Sequence, residues 1–360
     1  MMDLFQESNG APVYLVNDHQ HYDDQGAGTD SDTFISEVSS DRTTSTLSSQ
    51  EAANYFLELH GFAYTTDKNL PLIYPTDSLC ERLHVILNMI IRLCQKGKNV
   101  PPPAEELLQS GGLDGRGARV LDLVTKGGVW AHEMADTYPR AEFVSLDVKP
   151  LVALIPHARI RFEVYDLYAG IAEPDASFDI VHQTKDWNFL LREAHRVLKP
   201  GGLLVIGEIP PQSYEANDPS MMLHSSPRRV EAIKLLRAVH ASQGIDIDAW
   251  DDMSARLEPT HPHWFSDSHS TSHGFYDISL QTYIVPNGPW TTDQDQEQRT
   301  IGTLSKVLFE NVWKMLLPML QITGMTKSDA QAFVDRLLEE VGDARYRSCA
   351  KYKVWCARKI

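Results

Sequence analysis

A chain of 360 residues with 42% hydrophobic content is long enough to bury a sizeable core without help from a partner. Its 49 acidic and 33 basic side chains leave a formal charge of −16, which argues against nucleic acid as a main partner, since phosphate binding needs a basic surface. Cys80, Cys94, Cys349 and Cys356 show neither zinc spacing nor disulfide density, so a reducing compartment is expected, cytoplasmic with the nucleus as the alternative. The opening MMDLFQESNG has no basic start and no apolar run, and no stretch is long enough to span a bilayer, so neither a signal peptide nor a membrane partner is expected.

Residues 1–48, rich in Asp, Ser, Thr and Gly, bury too little apolar surface to order themselves and read as a disordered tail. Residues 49–118 read as a helical lead-in. ANYFLELHGFAY opens it, and residues 81–95 place Leu83, Ile86, Met89, Ile90 and Leu93 on one helix face. Three prolines from Pro101 and the run GGLDGRG then make a loop and spacer.

The organising stretch is RVLDLVTKGGVWAHEMADTYPRAEFVSLD, residues 119–147. An apolar run with β-branched residues is stopped by Thr125-Lys126-Gly127-Gly128, and Val129, Trp130, Met134 and Thr137 then recur at helical spacing up to Pro139. A second strand closes on Asp147, 19 positions beyond Gly128 (147 − 128), the distance at which nucleotide-binding βαβ units place a ribose-binding carboxylate. The logic is physical. Glycines let a ligand approach the backbone, a helix N-terminus offers free N–H groups, and an acid accepts from a ribose diol.

Residues 159–164 alternate as a third strand before Asp166, FDIVH is a short buried fourth strand, and Asp186 caps a helix that turns Trp187, Leu190, Leu191, Ala194 and Leu198 inward. Lys199-Pro200-Gly201-Gly202 ends that helix, and residues 203–208 form strand five. A helix starts at Ser226-Pro227 and runs to about Ala241. EPTHPHWFSDSHSTSHGF, with His261, His263, His269 and His273, reads as a loop over the pocket. It lacks the register that would present three ligands to a metal, so no metal is expected. Residues 277–285 alternate as a strand, two helices follow at 298–321 and 327–341, and KYKVWCARKI reads as a half-exposed antiparallel strand.

These elements assemble as an α/β fold, a Rossmann-like doubly wound sheet with mainly parallel strands and an antiparallel edge strand, plus helical N- and C-terminal additions. The core spans residues 119–290 with an insertion at about 210–275, and residues 291–360 carry the C-terminal helices and edge strand. Ligand belongs at the carboxyl ends of strands one, two and four, where Asp122, Thr125, Gly127, Gly128, Asp147, Asp166, His182 and Gln183 stand, with Trp187 and Glu208 beside them.

VLDL, the small-residue loop, GVWAHEMAD and the LD ending strand two resemble motifs I and II of class I S-adenosylmethionine (SAM) methyltransferases. FDIVH, REAHRVLKPGG and LVIGE resemble the strand four to strand five region of that class, and HGFAY, LPLIYPTD, ERLHVI, YIVPNGPW and YKVWCARK resemble the fungal LaeA-like (UMTA-type) group. The resemblance implies SAM as cofactor and Asp166 as the acid reaching the adenine amino group. It also implies an N-terminal segment over the pocket, in which Tyr64, Tyr74 and Arg82 either meet substrate or fix a helix against the sheet. The chain departs from the family at Val124 and Lys126, where motif I usually has glycine, and in a connection of about three residues after His182, where the family has a longer one.

For methyl transfer His182 is the first candidate base and Glu208 the second, with the reading of His182 as a core histidine kept equally open. His263, Trp264 and Tyr64, with Trp187, are the candidate substrate contacts. The expected activity is methylation of a small molecule of specialised metabolism, on oxygen or nitrogen, with a protein partner or homodimer left open. Two alternatives stand beside it: a non-catalytic pseudo-methyltransferase acting as regulator or scaffold, and a pocket running other chemistry such as a cyclisation.

Overall fold

The computed structural model describes residues 4–6, 12–14, 56–59, 62–65, 75, 78–123, 127–147, 157–164, 170–183, 187–265, 273–290 and 295–360. Within the stretch read as a tail, β1 (Leu4–Gln6) pairs antiparallel with β2 (Pro12–Tyr14), and the rest of it lies outside the described residues. The lead-in is not wholly helical. β3 (Phe56–Leu59) and β4 (Phe62–Thr65) form an antiparallel pair, as their aromatic and aliphatic content allows, ahead of helix α1 (Ser78–Cys94). The proline run, expected as loop, starts a second helix, α2 (Pro102–Ser110), because proline is preorganised for a first helical turn and AEELL continues it. Gly111 closes α2 in the left-handed conformation.

The central sheet has eight strands. Parallel strands β5 (Arg119–Leu123), β6 (Glu142–Asp147), β7 (Ile160–Val164), β8 (Phe178–Gln183) and β9 (Leu198–Glu208) stand in the order β7-β6-β5-β8-β9. Two-residue β10 (Tyr214–Glu215) and the long β11 (Phe275–Pro286) both pair antiparallel with β12 (Ser348–Lys359), which pairs antiparallel with β9. The fold is therefore the α/β Rossmann-like sheet expected, mostly parallel with an antiparallel edge. Within it, KYKVWCARKI is an interior strand, flanked by β9 and β11, with Trp355 and Ala357 buried on one face and Tyr352, Val354 and Cys356 on the other. The edge strand is β11. Strand nine also starts earlier than expected: Lys199 to Gly202 lie inside it, across a register shift, with Gly201 left-handed.

Strand alternation sorts the side chains into two layers. Val120, Phe143, Ile180, Val205, Val354 and Cys356 face α1, α2, α3 (Val129–Thr137) and α7 (Gln296–Met315), whose counterparts include Ile90, Leu107, Met134 and Ile301. Leu121, Leu146, Val181, Leu204, Ile206 and Trp355 face α4 (Trp187–Val197) and α6 (Ala249–Leu257) through Leu190, Leu191, Trp250 and Met253. Helix α6, missed in the sequence because three of its first residues are acidic or polar, seals this layer. A third cluster joins Tyr64 to α5 (Pro227–Ser242), the end of α7, α8 (Leu317–Ile322) and α9 (Lys327–Gly342) through Ala232, Trp313, Leu320 and Phe333. The helix expected over 298–321 is broken into α7 and α8, as Pro318 removes an amide donor at the junction. Thr326 caps α9, its hydroxyl oxygen accepting from the Asp329 amide at 3.1 Å.

Candidate functional site

The β5–turn–α3–β6 unit builds the site. Strand β5 ends at Leu123, and the chain re-enters the described residues at Gly127 and Gly128, both left-handed with φ of +87° and +76°. Two consecutive glycines in that region make a bend that side-chain-bearing residues adopt only at a cost. A Cβ on Gly127 meets no atom of the described residues within 4 Å, so none of them crowds the main chain there. Gly128 is the N-cap of α3.

Across the three central strands, Ser145, Asp122 and His182 stand side by side in register. Their alternation puts all three on the α3 side of the sheet. The Ser145 hydroxyl donates to Asp122 Oδ2 at 2.7 Å, and the other carboxylate oxygen meets His182 Nδ1 at 3.2 Å. Asp122 is 5% exposed by side chain and His182 28%, so a buried carboxylate orients a ring that reaches solvent. Trp130, on the first turn of α3, stacks on that ring with centroids 4.7 Å apart and planes 10° from parallel. Its own indole N–H donates to the Asn99 carbonyl at 3.0 Å, which fixes the stacking plane. Asp147, buried at the carboxyl end of β6, continues the Phe143–Ser145 row on the same face. With Nδ1–H given to Asp122, Nε2 keeps the lone pair that accepts a proton, the arrangement of an oriented base.

Sequence reasoning missed Ser145 and took Trp130 only for a helix-packing residue. The signal was the serine inside the apolar run FVSLD, opposite the aspartate of VLDL. Other expected residues do not join this group. Glu208 ends β9 on the opposite face by alternation from Val205, and its Oε1 accepts from the next amide, Ile209, at 3.0 Å, so the two candidate bases are not neighbours across one face. Trp187 is 2% exposed, with its ring 4.4 Å from Trp250, a core contact of the other layer. Tyr64 is wholly buried and its hydroxyl donates to the Met315 carbonyl at 3.1 Å, so it fixes the hairpin to the C-terminal helices instead of meeting a ligand. Arg82 is exposed on α1. Gln183 holds the last β8 register position, opposite Ile206. Thr125, Asp166 and Tyr74, with Val124, Lys126 and Asp186, lie outside the described residues.

His263 and Trp264 are corrected most sharply. Trp264 packs on Phe275 and His195, and Phe275 pairs with Lys359, one position beyond the Arg358 that opposes Leu203. That is the amino end of the parallel strands, the far end from the glycine bend. His261 and His263 bring their Nδ1 atoms to 2.6 Å, and burial, with His261, Arg192 and Arg256, pushes His263 down to about 4. Among the described residues no group of three or more His, Cys, Asp or Glu side chains is placed to hold a metal ion. No helix among them is long and apolar enough to cross a membrane.

This geometry, a mostly parallel sheet with a glycine bend and acids at its carboxyl ends, is that of a Rossmann-like α/β fold with a nucleotide-type site. Residues 121–206 match the profile of the family described as "Methyltransferase domain", which begins in β5 and ends in β9. The chain is 27% identical over 215 residues to "Methyltransferase pytC" of Aspergillus terreus, covering 55% of this chain and 57% of that protein. It is 24% identical over 283 residues to "Secondary metabolism regulator laeA" of Coprinopsis cinerea, covering 73% and 64%. The chain thus spans less than two thirds of the length of these curated relatives. Among solved structures, Haemonchus contortus phosphoethanolamine N-methyltransferase 2 in complex with S-adenosyl-L-methionine aligns at 15% identity and a TM-score of 0.40, covering 72% of this chain and 53% of that one.

Proposed function

We propose that the chain binds SAM at the carboxyl ends of β5, β6 and β8 and methylates a small molecule on oxygen or nitrogen. The observation that carries the reading is the Asp122–His182 contact beside the left-handed Gly127–Gly128 bend, which brings an oriented base and a glycine main chain to one place. The residues present fit the cofactor: none of those described crowds Gly127, and the buried Asp147 stands where a ribose diol is held. Asp122, Gly127, Gly128 and Asp147 would hold the cofactor, joined by Thr125, Asp166 and the main chain at Gln183.

Bound SAM supplies an electrophilic methyl group on a sulfonium. What remains for the protein is alignment of the acceptor, exclusion of water and removal of one proton. His182 takes that proton at Nε2, and Asp122, itself braced by Ser145, stabilises the ring that gains it. Trp130 keeps the imidazole plane fixed.

The test is calorimetric titration of S-adenosylhomocysteine. Micromolar binding is expected for the unaltered chain, loss of binding for Asp147→Ala, and unchanged or tighter binding for Lys126→Gly. No heat from the unaltered chain refutes the reading.

A second reading, a regulator that keeps the fold without turnover, is favoured by the three-residue connection between Gln183 and Trp187 and by Val124 and Lys126 in the motif I turn. One similar relative carries the word regulator in its name. An unaltered chain that folds but binds no S-adenosylhomocysteine and transfers no methyl group to any acceptor offered would favour it.

A further inference from the structure

A cleft of about 120 Å³ opens between the start of α5, the end of α9 and residues 287–290. Ser348 lines it, and along β12 this residue stands 5 positions (353 − 348) before Lys353, the partner of Glu208. At the usual rise of a strand that is roughly 17 Å from the end of β9, well apart from the Asp122–His182 pair.

Arg229 lines the cleft and is 5% exposed. Its guanidinium lies 4.0 Å over the Phe309 ring, and its only hydrogen bond among the described residues is a long one, from Nε to the Ser213 hydroxyl at 3.4 Å. The terminal nitrogens, which form the fork that suits a carboxylate or phosphate, have no acid within ion-pair distance among those residues. The neighbouring acids are otherwise engaged. Glu340 accepts the amides of Arg228 and Arg229 at 3.1 and 3.0 Å, and Asp343 pairs with Arg345. Burial pushes the Arg229 guanidinium down to about 9, against the smaller opposing pull of Glu340 and Cys349.

Two more donors share the cleft. Among the described residues Trp290 Nε1 is buried without a hydrogen-bond partner, and Lys306 has only a loose 3.8 Å pair with Glu310. A buried cation left unpaired is costly, and so is a buried N–H, so both gain from an oxyanion between them.

We propose that this cleft is a binding site for an oxyanion, the carboxylate or phosphate group of a small ligand, held by the Arg229 guanidinium and the Trp290 indole N–H with Lys306 adding its charge. The site is independent of the cofactor reading.

The full chain is titrated calorimetrically at constant ionic strength with inorganic phosphate in one arm and benzoate in the other. Saturable 1:1 binding in either arm is expected, and the arm that saturates identifies phosphate or carboxylate as the group recognised. Arg229→Met, which keeps the length of the side chain and removes the fork, weakens it by about tenfold or more. Should that variant fail to fold, Lys306→Glu on the partly exposed wall decides the matter, since a carboxylate there opposes the ligand and removes saturable binding. S-adenosylhomocysteine affinity, measured in the same samples, stays at the unaltered value in either variant. No saturation in either arm, or saturation untouched by the informative variant, overturns the proposal.

Discussion

Acidifying the solution from pH 7 to pH 5 should weaken the fold through one side chain, His195. Its ring, 6% exposed on α4, packs against Trp264, Phe275 and His273, and burial, then Lys359 and His273, pushes it down from 6.5 to about 3. The folded state therefore holds it neutral while the unfolded chain takes up a proton from pH 6.5 downward. Its stabilising contribution is complete above pH 6.5 and is lost progressively as the pH falls toward 3. Each pH unit in that window costs about 1.4 kcal/mol, so pH 5 removes about 2 kcal/mol. The control is His195→Asn, whose amide replaces the Nδ1 donor facing the Gly274 backbone and does not titrate. It leaves out the buried Nε2, which has no partner among the described residues. Urea unfolding followed by tryptophan fluorescence at pH 7 and pH 5 should show the unaltered chain losing about 2 kcal/mol more than the variant. Equal losses in the two proteins would refute the argument, and would mean that the ring is hydrated or protonated in the native state.

Three further outcomes follow from single contacts. Asp179, wholly buried, accepts from the Leu113 and Arg119 amides at 2.9 Å each and from Lys199 Nζ at 3.0 Å, so Asp179→Ala should cost about 3 kcal/mol in denaturant unfolding, while Asp179→Asn should recover part of it. Gly302 brings α7 against the Gly288 carbonyl so closely that a Cβ has no room beside the main chain, and Gly302→Ala should lower stability by about 2 kcal/mol or more, read as a fall in thermal midpoint. Gly127→Ala meets no atom of the described residues, so it should cost only the backbone strain of a left-handed alanine, about 1 kcal/mol, and any larger fall in S-adenosylhomocysteine affinity reports contact with the ligand.

Much of the sheet was legible in the chain because parallel strands covered on both faces are written as apolar runs. VLDL, FVSLD, FDIVH and LLVIGE announce four of them, and the glycine pair announces the bend between the first strand and its helix. Caps carry equally local information: Thr326 and Ser226-Pro227 mark helix starts that the structure places within a residue or two. Partnership is another matter. That β12 lies inside the sheet depends on β11 returning along its outer edge, a pairing between residues as far apart as Ser279 and Cys356, 77 positions (356 − 279). Whether Trp187 and Tyr64 line a pocket or fill a core likewise depends on Trp250 and Met315, which arrive from distant parts of the chain.

The sequence alone was enough for the class of fold and for Asp122, Asp147 and His182 as polar groups ending buried strands, since local period and spacing carry that information. Only the tertiary structure decided that Ser145, Asp122, His182 and Trp130 form one contact group, that Glu208 stands on the other face, and that His263 and Trp264 lie at the opposite end of the sheet. The reason is that strand order and register, settled by packing among residues far apart in the chain, determine which side chains become neighbours.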